Sequence, residues 1–210
     1  MDRNQIIEKI KTHTLISMKS GKLEVLLDMS ELTKNVKGCV VEVGVYRGGT
    51  AKLFALSNPN RQIHLFDTFQ GIPYDSGSLD IHYRGQFAAD ENDVRMFLLE
   101  CKNIHFYPGI FPDTWPVEGL GPIAIAHCDV DMQKSAEDFI NVIWPNMAVN
   151  GLMIFDDYNA PACPGVKLAV DNFMKKEGNE GIEPLALHST QCIIKKYDER
   201  LYVSKIEGEE

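Results

Sequence analysis

The chain has 210 residues, 44% of them hydrophobic, so it is long enough for one packed α/β domain and short for two. Its net charge of −9 argues against a nucleic-acid partner, because phosphate binding needs a basic surface, and a small-molecule partner is expected instead. The first residues form no long apolar run and the five cysteines no CxxC pair, which predicts a cytoplasmic protein with reduced thiols and no membrane span.

Two amphipathic helices come first in the chain, because apolar residues recur at helical spacing over residues 4–18 and 22–36. Short apolar runs that alternate with helical patterns follow. The predicted strands are CVVEVG from Cys39, QIHLFD from Gln62, NIHFYPG from Asn103, PIAIAHCD from Pro122 and LMIFDD from Leu152. One predicted helix begins near Gly49, a second covers about 92–101, a third runs through Phe139 to Trp144, and a fourth covers 166–176. This alternation indicates a parallel sheet with right-handed crossovers and helices on both faces.

Two segments depart from this alternation. Residues 68–90 are long, glycine-rich and aromatic without a clear period, which is typical of a lid, a binding loop or a mobile surface loop. Tyr74, His82, Tyr83 and Arg84 make this segment a candidate for substrate recognition. Near the end of the chain, EPLALHS and QCIIKKY predict an antiparallel pair at one end of the sheet.

A glycine-containing turn joins the first predicted strand to the next helix in VVEVGVYRGGTAKLF. Glycine permits close backbone approach and a helix start offers free N–H groups, so the turn is typical of a nucleotide-cofactor site. The spacing GxxxGG differs from GxGxxG and no GK[ST] follows, which disfavours cofactors held by a pyrophosphate. Asp67 ends the next strand, where a carboxylate can accept both ribose hydroxyls. A tight turn without a ligand is the structural alternative.

Two titratable side chains lie inside apolar strands rather than at their ends. Glu42 needs a ligand or backbone donors, because an unpaired buried carboxylate is costly. His127 has no second histidine at ligand spacing, so we interpret it as a hydrogen-bonded core or pocket residue rather than a metal ligand.

Two predicted strands end in paired carboxylates, Asp129 with Asp131 and Asp156 with Asp157. Alternation along an extended segment places Asp129 and Asp131 on one side and Val130 on the other. Because neighbouring strands lie about 4.8 Å apart, the two pairs can converge where open α/β sheets bind ligands. Clustered carboxylates need a cation, and oxygen ligands favour Mg²⁺, Mn²⁺ or Ca²⁺ over zinc. The alternative is that single aspartates cap the following helices.

The motifs VEVGVYRGGTA, LFDTFQGIP, GIFPDTWP, HCDVDMQKS, LMIFDDY and GVKLAVDNF occur in this order. Together they resemble the macrocin O-methyltransferase family, S-adenosylmethionine enzymes that methylate sugar hydroxyls of natural products. The resemblance covers roughly residues 38–197. It implies a Rossmann-like class I methyltransferase fold, with a mostly parallel seven-stranded sheet, an antiparallel edge, helices on both faces and extra N-terminal helices. The implied division is a helical extension over 1–36 and a methyltransferase domain over 37–210, with a lid-like loop at 68–90.

The resemblance also assigns roles to residues. The implied S-adenosylmethionine-binding residues are Glu42, Gly44, Val45, Tyr46, Arg47, Gly48, Gly49, Thr50, Asp67, Thr68, Phe69, Gly109, Phe111, His127 and Asp129. Asp129, Asp156 and Asp157 match the family's Mg²⁺ ligands, which could also hold Mn²⁺, and Asp131 matches its proposed general base. Tyr158 joins the loop residues Tyr74, His82, Tyr83 and Arg84 as a candidate substrate contact. The implied partner is a small-molecule hydroxyl acceptor, with a possible homodimer through the N-terminal helices.

Three other functions stay open from the sequence. A catechol-type O-methyltransferase has a lysine three residues after the first aspartate, where this chain has Met132, although Lys134 is close by. An NAD-linked oxidoreductase could use the turn between Gly44 and Gly49, but the missing GxGxxG disfavours it. A non-catalytic cofactor-binding protein could use the long loop to recognise a partner.

Overall fold

The computed structural model describes residues 1–16, 19–75, 79–176, 184–187 and 189–198. Within these residues seven strands form one sheet, namely β1 Cys39–Val43, β2 Ile63–Asp67, β3 Ile104–Pro108, β4 Ile123–Cys128, β5 Met147–Phe155, β6 Leu185–Ala186 and β7 Cys192–Lys195. Their order across the sheet is β3-β2-β1-β4-β5-β7-β6. β1 to β5 pair in parallel, and β7 is antiparallel to β5 and β6. The predicted parallel sheet with an antiparallel edge is confirmed.

The central strands are apolar except for Glu42 in β1 and His127 in β4, because helices cover both faces of the sheet. Every residue of β1 and β4 is buried. Val43 at the end of β1 lies beside Phe66 of β2 and Cys128 of β4, and Cys128 lies beside Phe155 of β5. The carboxyl ends of these four strands therefore meet along one edge, where ligands bind in open α/β sheets.

The described helices pack against the two faces. They are α1 Arg3–Ile10, α2 Lys22–Leu32, α3 Gly49–Ser57, α4 Glu91–Phe97, α5 Gln133–Asn146 and α6 Pro164–Met174. One apolar core packs α5 and α6 against one face of the sheet. A second core packs the first four helices, α1, α2, α3 and α4, against the other face. None of these helices combines the length and the apolar character that crossing a bilayer requires.

The N-terminal helices pack inside the second core. Their apolar faces, which include Ile6, Ile10 and Leu26, are almost completely buried, and the two helices contact α3 of the same chain. The extension thus shares a core with the sheet, and the division at residue 36 and the homodimer through these helices stay predictions.

Three helices end earlier in the chain than the sequence predicted. The first helix ends at Ile10 rather than at residue 18, because the chain turns so that the His13 carbonyl accepts a hydrogen bond from Gly49 N–H at 3.1 Å. Residues 17 and 18 lie outside the described residues. The second helix ends at Leu32 rather than at 36, where the Thr33 hydroxyl donates to the Met29 carbonyl at 2.7 Å. α4 ends at Phe97, short of the predicted residue 101.

The long segment between β2 and α4 contains neither helix nor strand in its described parts, 68–75 and 79–90, as the sequence predicted. The antiparallel pair near the end of the chain is also present, although residues 183 and 188 of the predicted EPLALHS strand lie outside the described ones.

Candidate active site

A cavity of about 790 Å³ lies at the edge where the parallel strands end. Its volume falls within the range of small-molecule sites, roughly 300–1,000 Å³. The predicted residues that line it are Gly44, Val45, Tyr46, Gly49, Thr50, Asp67, Thr68, Gly109, Phe111, Asp129, Asp131, Asp156 and Asp157. The fold therefore brings the glycine turn and both carboxylate pairs into one space.

Gly44 is required where β1 gives way to the turn. Its φ is +88°, and a Cβ atom there would lie 1.8 Å from the carbonyl oxygen of Asp129. Because glycine has no side chain, the end of β4 can approach the turn closely. The turn that is the candidate for cofactor binding and the carboxylates at the strand ends therefore share a wall of the cavity.

Asp67 holds the turn in place. Its Oδ2 accepts hydrogen bonds from the backbone N–H groups of Val45 and Tyr46 at 2.6 and 2.8 Å, and its Oδ1 accepts one from Phe69 N–H at 2.7 Å. Burial raises the pKa of this carboxyl, against the opposing effect of these donors. Backbone donors occupy most of the roughly four acceptor sites of this carboxylate, which also lines the cavity.

The chain between α1 and α2 forms a wall of the cavity that the sequence did not predict. His13, Thr14, Leu15 and Ile16 line the cavity there, and Gly49 at the start of α3 is covered by the His13 carbonyl. No residue pattern in this segment indicates a ligand. Only the packing of α1 against α3 brings it to the strand ends.

Asp129, Asp156 and Asp157 form the acidic cluster. One carboxylate oxygen from each lies within 4.8 Å of the others. Asp156 Oδ2 accepts a hydrogen bond from Lys22 Nζ at 2.6 Å, and its Oδ1 accepts one from Gln191 Nε2 at 2.8 Å. The Lys22 ammonium is also 3.6 Å from Asp157 Oδ1, so α2 supplies a cation to the cluster.

The charges of the acidic cluster are only partly balanced. Burial and the charges of Asp156 and Asp157 raise the pKa of Asp129 well above its usual range, and burial and Asp156 raise that of Asp157. Asp156 differs, because contacts with His127 and Lys22 outweigh burial and lower its pKa to about 2. Three hard oxygen ligands with a deficit of positive charge fit Mg²⁺ or Mn²⁺.

Asp131 lies beside this cluster in a backbone conformation that L-residues seldom adopt. Its φ is +61°, which an aspartate tolerates better than most residues. The backbone after β4 therefore turns at Asp131. Val130 packs against the apolar core beside α5 and α6 and also lines the cavity, so its orientation away from the aspartates stays a prediction. Burial and the charge of Asp157 raise the pKa of Asp131 to about 6.

Glu42 and His127 lie behind the cavity wall rather than on it. Both are fully buried, and His127 Nδ1–H donates to Glu42 Oε1 at 2.9 Å. His127 Nε2 is 3.7 Å from Asp156 Oδ1. Although burial disfavours the charged ring, the nearby carboxylates of Asp156 and Glu42, the latter hydrogen-bonded to the ring, raise the pKa of His127 to about 10. The positively charged His127 ring thus lies between the Glu42 carboxylate and Asp156 of the acidic cluster.

Several other predicted residues do not line the cavity, namely Arg47, Gly48, Phe69, Tyr74, His82, Tyr83, Arg84 and Tyr158. Arg47 lies over the Tyr46 ring, and Tyr158 is buried with its hydroxyl donating to Asp171 at 2.7 Å. Tyr83 is 66% exposed. His82 is instead close to the base candidate, with its Nε2 3.7 Å from Asp131 Oδ1.

Lys22 is the functional candidate that the sequence analysis missed. It is the first residue of α2, where the partial positive charge of a helix disfavours a cation by about 0.3–1 kcal/mol. A lysine in that position is therefore a signal of a compensating partner, here Asp156 and Asp157. The signal does not reveal which acidic residues those are.

The model of the family described as macrocin O-methyltransferase (TylF) matches residues 12–186. The chain belongs to this family. It is thus an S-adenosylmethionine-dependent O-methyltransferase, and the alternatives of an NAD-linked oxidoreductase and a non-catalytic binding protein lose their support.

Individual proteins agree with this assignment. The methyltransferase is 33% identical to demethyldecarbamoylnovobiocin O-methyltransferase of Streptomyces niveus, over 78% of this chain and 68% of the relative. It is 32% identical to 8-demethyl-8-(2,3-dimethoxy-alpha-L-rhamnosyl)-tetracenomycin-C 4'-O-methyltransferase of Streptomyces olivaceus, over 72% and 64%. The solved structure of the O-methyltransferase NovP superposes with a TM-score of 0.75 and 28% identity, covering 89% of this chain and 83% of that one.

The catechol-type alternative depends on a lysine near Asp131. In this methyltransferase Lys134 does not line the cavity, forms an ion pair with Asp138 and has a side chain that is 57% exposed. Lys19 and Lys22 both line the cavity, and the charges of Asp156 and Asp157 outweigh burial and raise the pKa of Lys22. A cation held by two carboxylates is a poor proton acceptor, which leaves Asp131 as the stronger base candidate.

Proposed function

We propose that this methyltransferase transfers the methyl group of S-adenosylmethionine to a hydroxyl of a sugar or glycosylated small molecule. Asp131 acts as the general base, and Asp129, Asp156 and Asp157 hold Mg²⁺ or Mn²⁺. The observation that carries the proposal is the convergence of three carboxylates within 4.8 Å, in the cavity that the glycine turn also lines.

The glycine turn and Asp67 are the proposed cofactor side of the cavity. Gly44 lets the Asp129 carbonyl pack closely against the turn, and Asp67, which lines the cavity at the end of β2, suits a ribose hydroxyl. Gly49 and Thr50 open α3 on the same wall. Transfer of a methyl group is an in-line displacement, so these residues contribute by fixing the orientation of the donor.

Asp131 and the acidic cluster are the proposed acceptor side. With a pKa of about 6, the Asp131 carboxylate is ionised at neutral pH and can accept the proton of an acceptor hydroxyl. Bound at the acidic cluster, Mg²⁺ would supply positive charge that lowers the pKa of that hydroxyl. His127 and Lys22 keep Asp156 ionised, which maintains a ligand for the ion.

A sugar acceptor is supported by the relatives and by the cavity wall. The name of the Streptomyces olivaceus relative specifies a rhamnosyl group and a 4'-O-methylation. In this chain Phe87, Ile72 and Pro73 line the cavity beside polar groups such as Ser135 and Thr190. Apolar surface next to hydrogen-bonding groups suits a sugar carried on an apolar scaffold.

The same three apolar residues support a lid. Ile72, Pro73 and Phe87 come from both ends of the segment 68–90, and Ile72 N–H donates to the Gln86 carbonyl at 2.9 Å. The two arms of the segment are thus joined to each other beside the cavity. We include a lid at 68–90 and a helical extension at 1–36 in the proposal.

The test is methyl transfer from S-adenosylmethionine to a panel of rhamnosides, other glycosides and catechols, with and without EDTA. We expect activity on glycosides, loss of activity in EDTA and recovery on adding Mg²⁺ or Mn²⁺. Turnover that is insensitive to EDTA would contradict the proposed metal ion. Activity confined to catechols would contradict the proposed sugar acceptor.

A further inference from the structure

A second group of possible metal ligands lies next to the acidic cluster and contains nitrogen and sulfur. His82 Nε2, Asp131 Oδ1 and Cys163 Sγ come from three separate segments of the chain. The sulfur lies 3.4 Å from the His82 nitrogen and 3.6 Å from the Asp131 oxygen, and the nitrogen lies 3.7 Å from that oxygen. Each atom therefore contacts both of the others.

One buried carboxylate fixes the three segments relative to one another. Asp80, in the loop that carries His82, is 7% exposed. Its Oδ2 accepts a hydrogen bond from Gln133 N–H at 3.0 Å, and its Oδ1 accepts one from Gly165 N–H at 2.8 Å. Gln133 begins α5 just after Asp131, and Gly165 follows Cys163, the N-cap of α6. Asp80 thus ties the loop to both helix starts.

The ligand atoms are also oriented individually. His82 Nδ1 is 3.2 Å from Gln86 Oε1, so an N–H on Nδ1 donates there and directs the other ring nitrogen at the cluster. The Cys163 Sγ–H donates to Asp131 Oδ1 at 3.6 Å, so the sulfur faces the carboxylate.

We propose that His82, Asp131 and Cys163 form a binding site for a borderline divalent cation such as Zn²⁺, distinct from the oxygen-only site for Mg²⁺. Tetrahedral zinc with Zn–S near 2.3 Å and Zn–N near 2.0–2.1 Å places its ligand atoms roughly 3.3–3.7 Å apart, which the three separations match. Cys163 binds as the thiolate, and its proton passes to the solvent. The cavity supplies the way in, because Asp131 lines it.

Zinc at this site engages the Asp131 carboxylate and therefore inhibits methyl transfer. This consequence rests on the proposed function, in which Asp131 is the base, whereas binding itself does not. His82 and Cys163 add softer ligands that the acidic cluster lacks, so the two sites differ in preference: oxygen ligands for Mg²⁺, and a nitrogen, oxygen and sulfur set for Zn²⁺.

Binding is tested with Co²⁺ as the probe, added to the full chain in saturating Mg²⁺. We expect about one equivalent to bind with a sulfur-to-cobalt charge-transfer band in the near ultraviolet. Cys163→Ser should abolish the band and His82→Ala should weaken binding at least about 10-fold, while Cys101→Ser, which removes a half-buried thiol elsewhere, should leave both unchanged. No band in the wild type, or a band that survives Cys163→Ser, overturns the site; thermal unfolding confirms that each variant is folded.

Inhibition is tested by the ratio of methyl-transfer rates with and without Zn²⁺, in excess Mg²⁺. We expect the zinc concentration for half-inhibition to rise at least about 10-fold in Cys163→Ser and to stay unchanged in Cys101→Ser. Equal inhibition of both variants overturns the inhibitory role and assigns the effect to the acidic cluster. Cobalt binding without zinc inhibition supports the site and contradicts Asp131 as the base, so the two proposals fail separately.

Discussion

Lys22 Nζ lies 2.6 Å from Asp156 Oδ2, although the two residues are 134 positions apart in the chain. Their side chains are only 14% and 4% exposed. The ion pair connects the start of α2 to the end of β5, so the N-terminal part of the chain contributes directly to the electrostatics of the acidic cluster.

Lys22→Met should destabilise the metal-free protein by about 3–5 kcal/mol, since it leaves buried carboxylates unpaired. Mg²⁺ should reduce this loss, because an ion at the acidic cluster takes over the compensation of charge. Chemical unfolding with and without Mg²⁺ measures the difference. Lys34→Met, which removes an exposed ion pair with Glu31 just after the same helix, should change stability little in either condition. The same loss for Lys22→Met with and without Mg²⁺ would contradict a shared site.

Asp131→Asn should lower turnover by about 10²- to 10⁴-fold, the usual contribution of a general base. Affinity for S-adenosylhomocysteine, measured by calorimetry, should change little, since the glycine turn and Asp67 are untouched. Asp138→Asn is the matched control, because Asp138 pairs with Lys134 and does not line the cavity. Full turnover in Asp131→Asn would exclude this residue as the base.

Gly44→Ala should destabilise the fold and abolish cofactor binding, because the new Cβ would overlap the Asp129 carbonyl. Gly119→Ala separates this clash from backbone strain: its φ is +72°, but no atom lies within 4 Å of the added Cβ. The control should lose only about 1–2 kcal/mol for its left-handed conformation and keep cofactor affinity. Urea unfolding and calorimetry with S-adenosylhomocysteine compare the two, and equal losses would refute the close approach as the cause.

His64 should make the protein less stable in acid. Burial, together with the nearby charge of His105, lowers the pKa of this ring from 6.5 to about 4 in the folded state. As the pH falls below 6.5, His64 takes up a proton in the unfolded chain before it does so in the folded protein. The free energy of unfolding therefore decreases between pH 6.5 and about pH 4. The loss is on the order of 3 kcal/mol, at about 1.4 kcal/mol for each pKa unit.

The measurement is the free energy of unfolding at pH 7 and pH 4.5 for the wild type and His64→Gln, whose amide can keep the contact with the Tyr107 hydroxyl. The free energy of unfolding of the variant should differ less between the two pH values than that of the wild type. His105→Gln, which removes the smaller of the two causes, should reduce the difference less. An unchanged pH dependence in His64→Gln would show that His64 is not the responsible group.

Local patterns in the sequence determined the alternation of strands and helices, the parallel sheet and the arrival of Asp129 and Asp156 at the same edge. Side-chain periodicity and turn residues act over a few positions, and the pairing of parallel strands then fixes where their ends lie. The glycine turn and the second carboxylate pair were predictable for the same reason, and the motif order indicated the family.

Tertiary structure alone decided which groups complete the site. Lys22 reaches Asp156, His82 and Cys163 reach Asp131, and the His13 carbonyl covers Gly49, each across a long stretch of chain. The left-handed backbone conformation of Asp131 was likewise not predicted from the sequence. Contacts of this kind follow from how helices pack onto the sheet, and neither residue spacing nor periodicity encodes them.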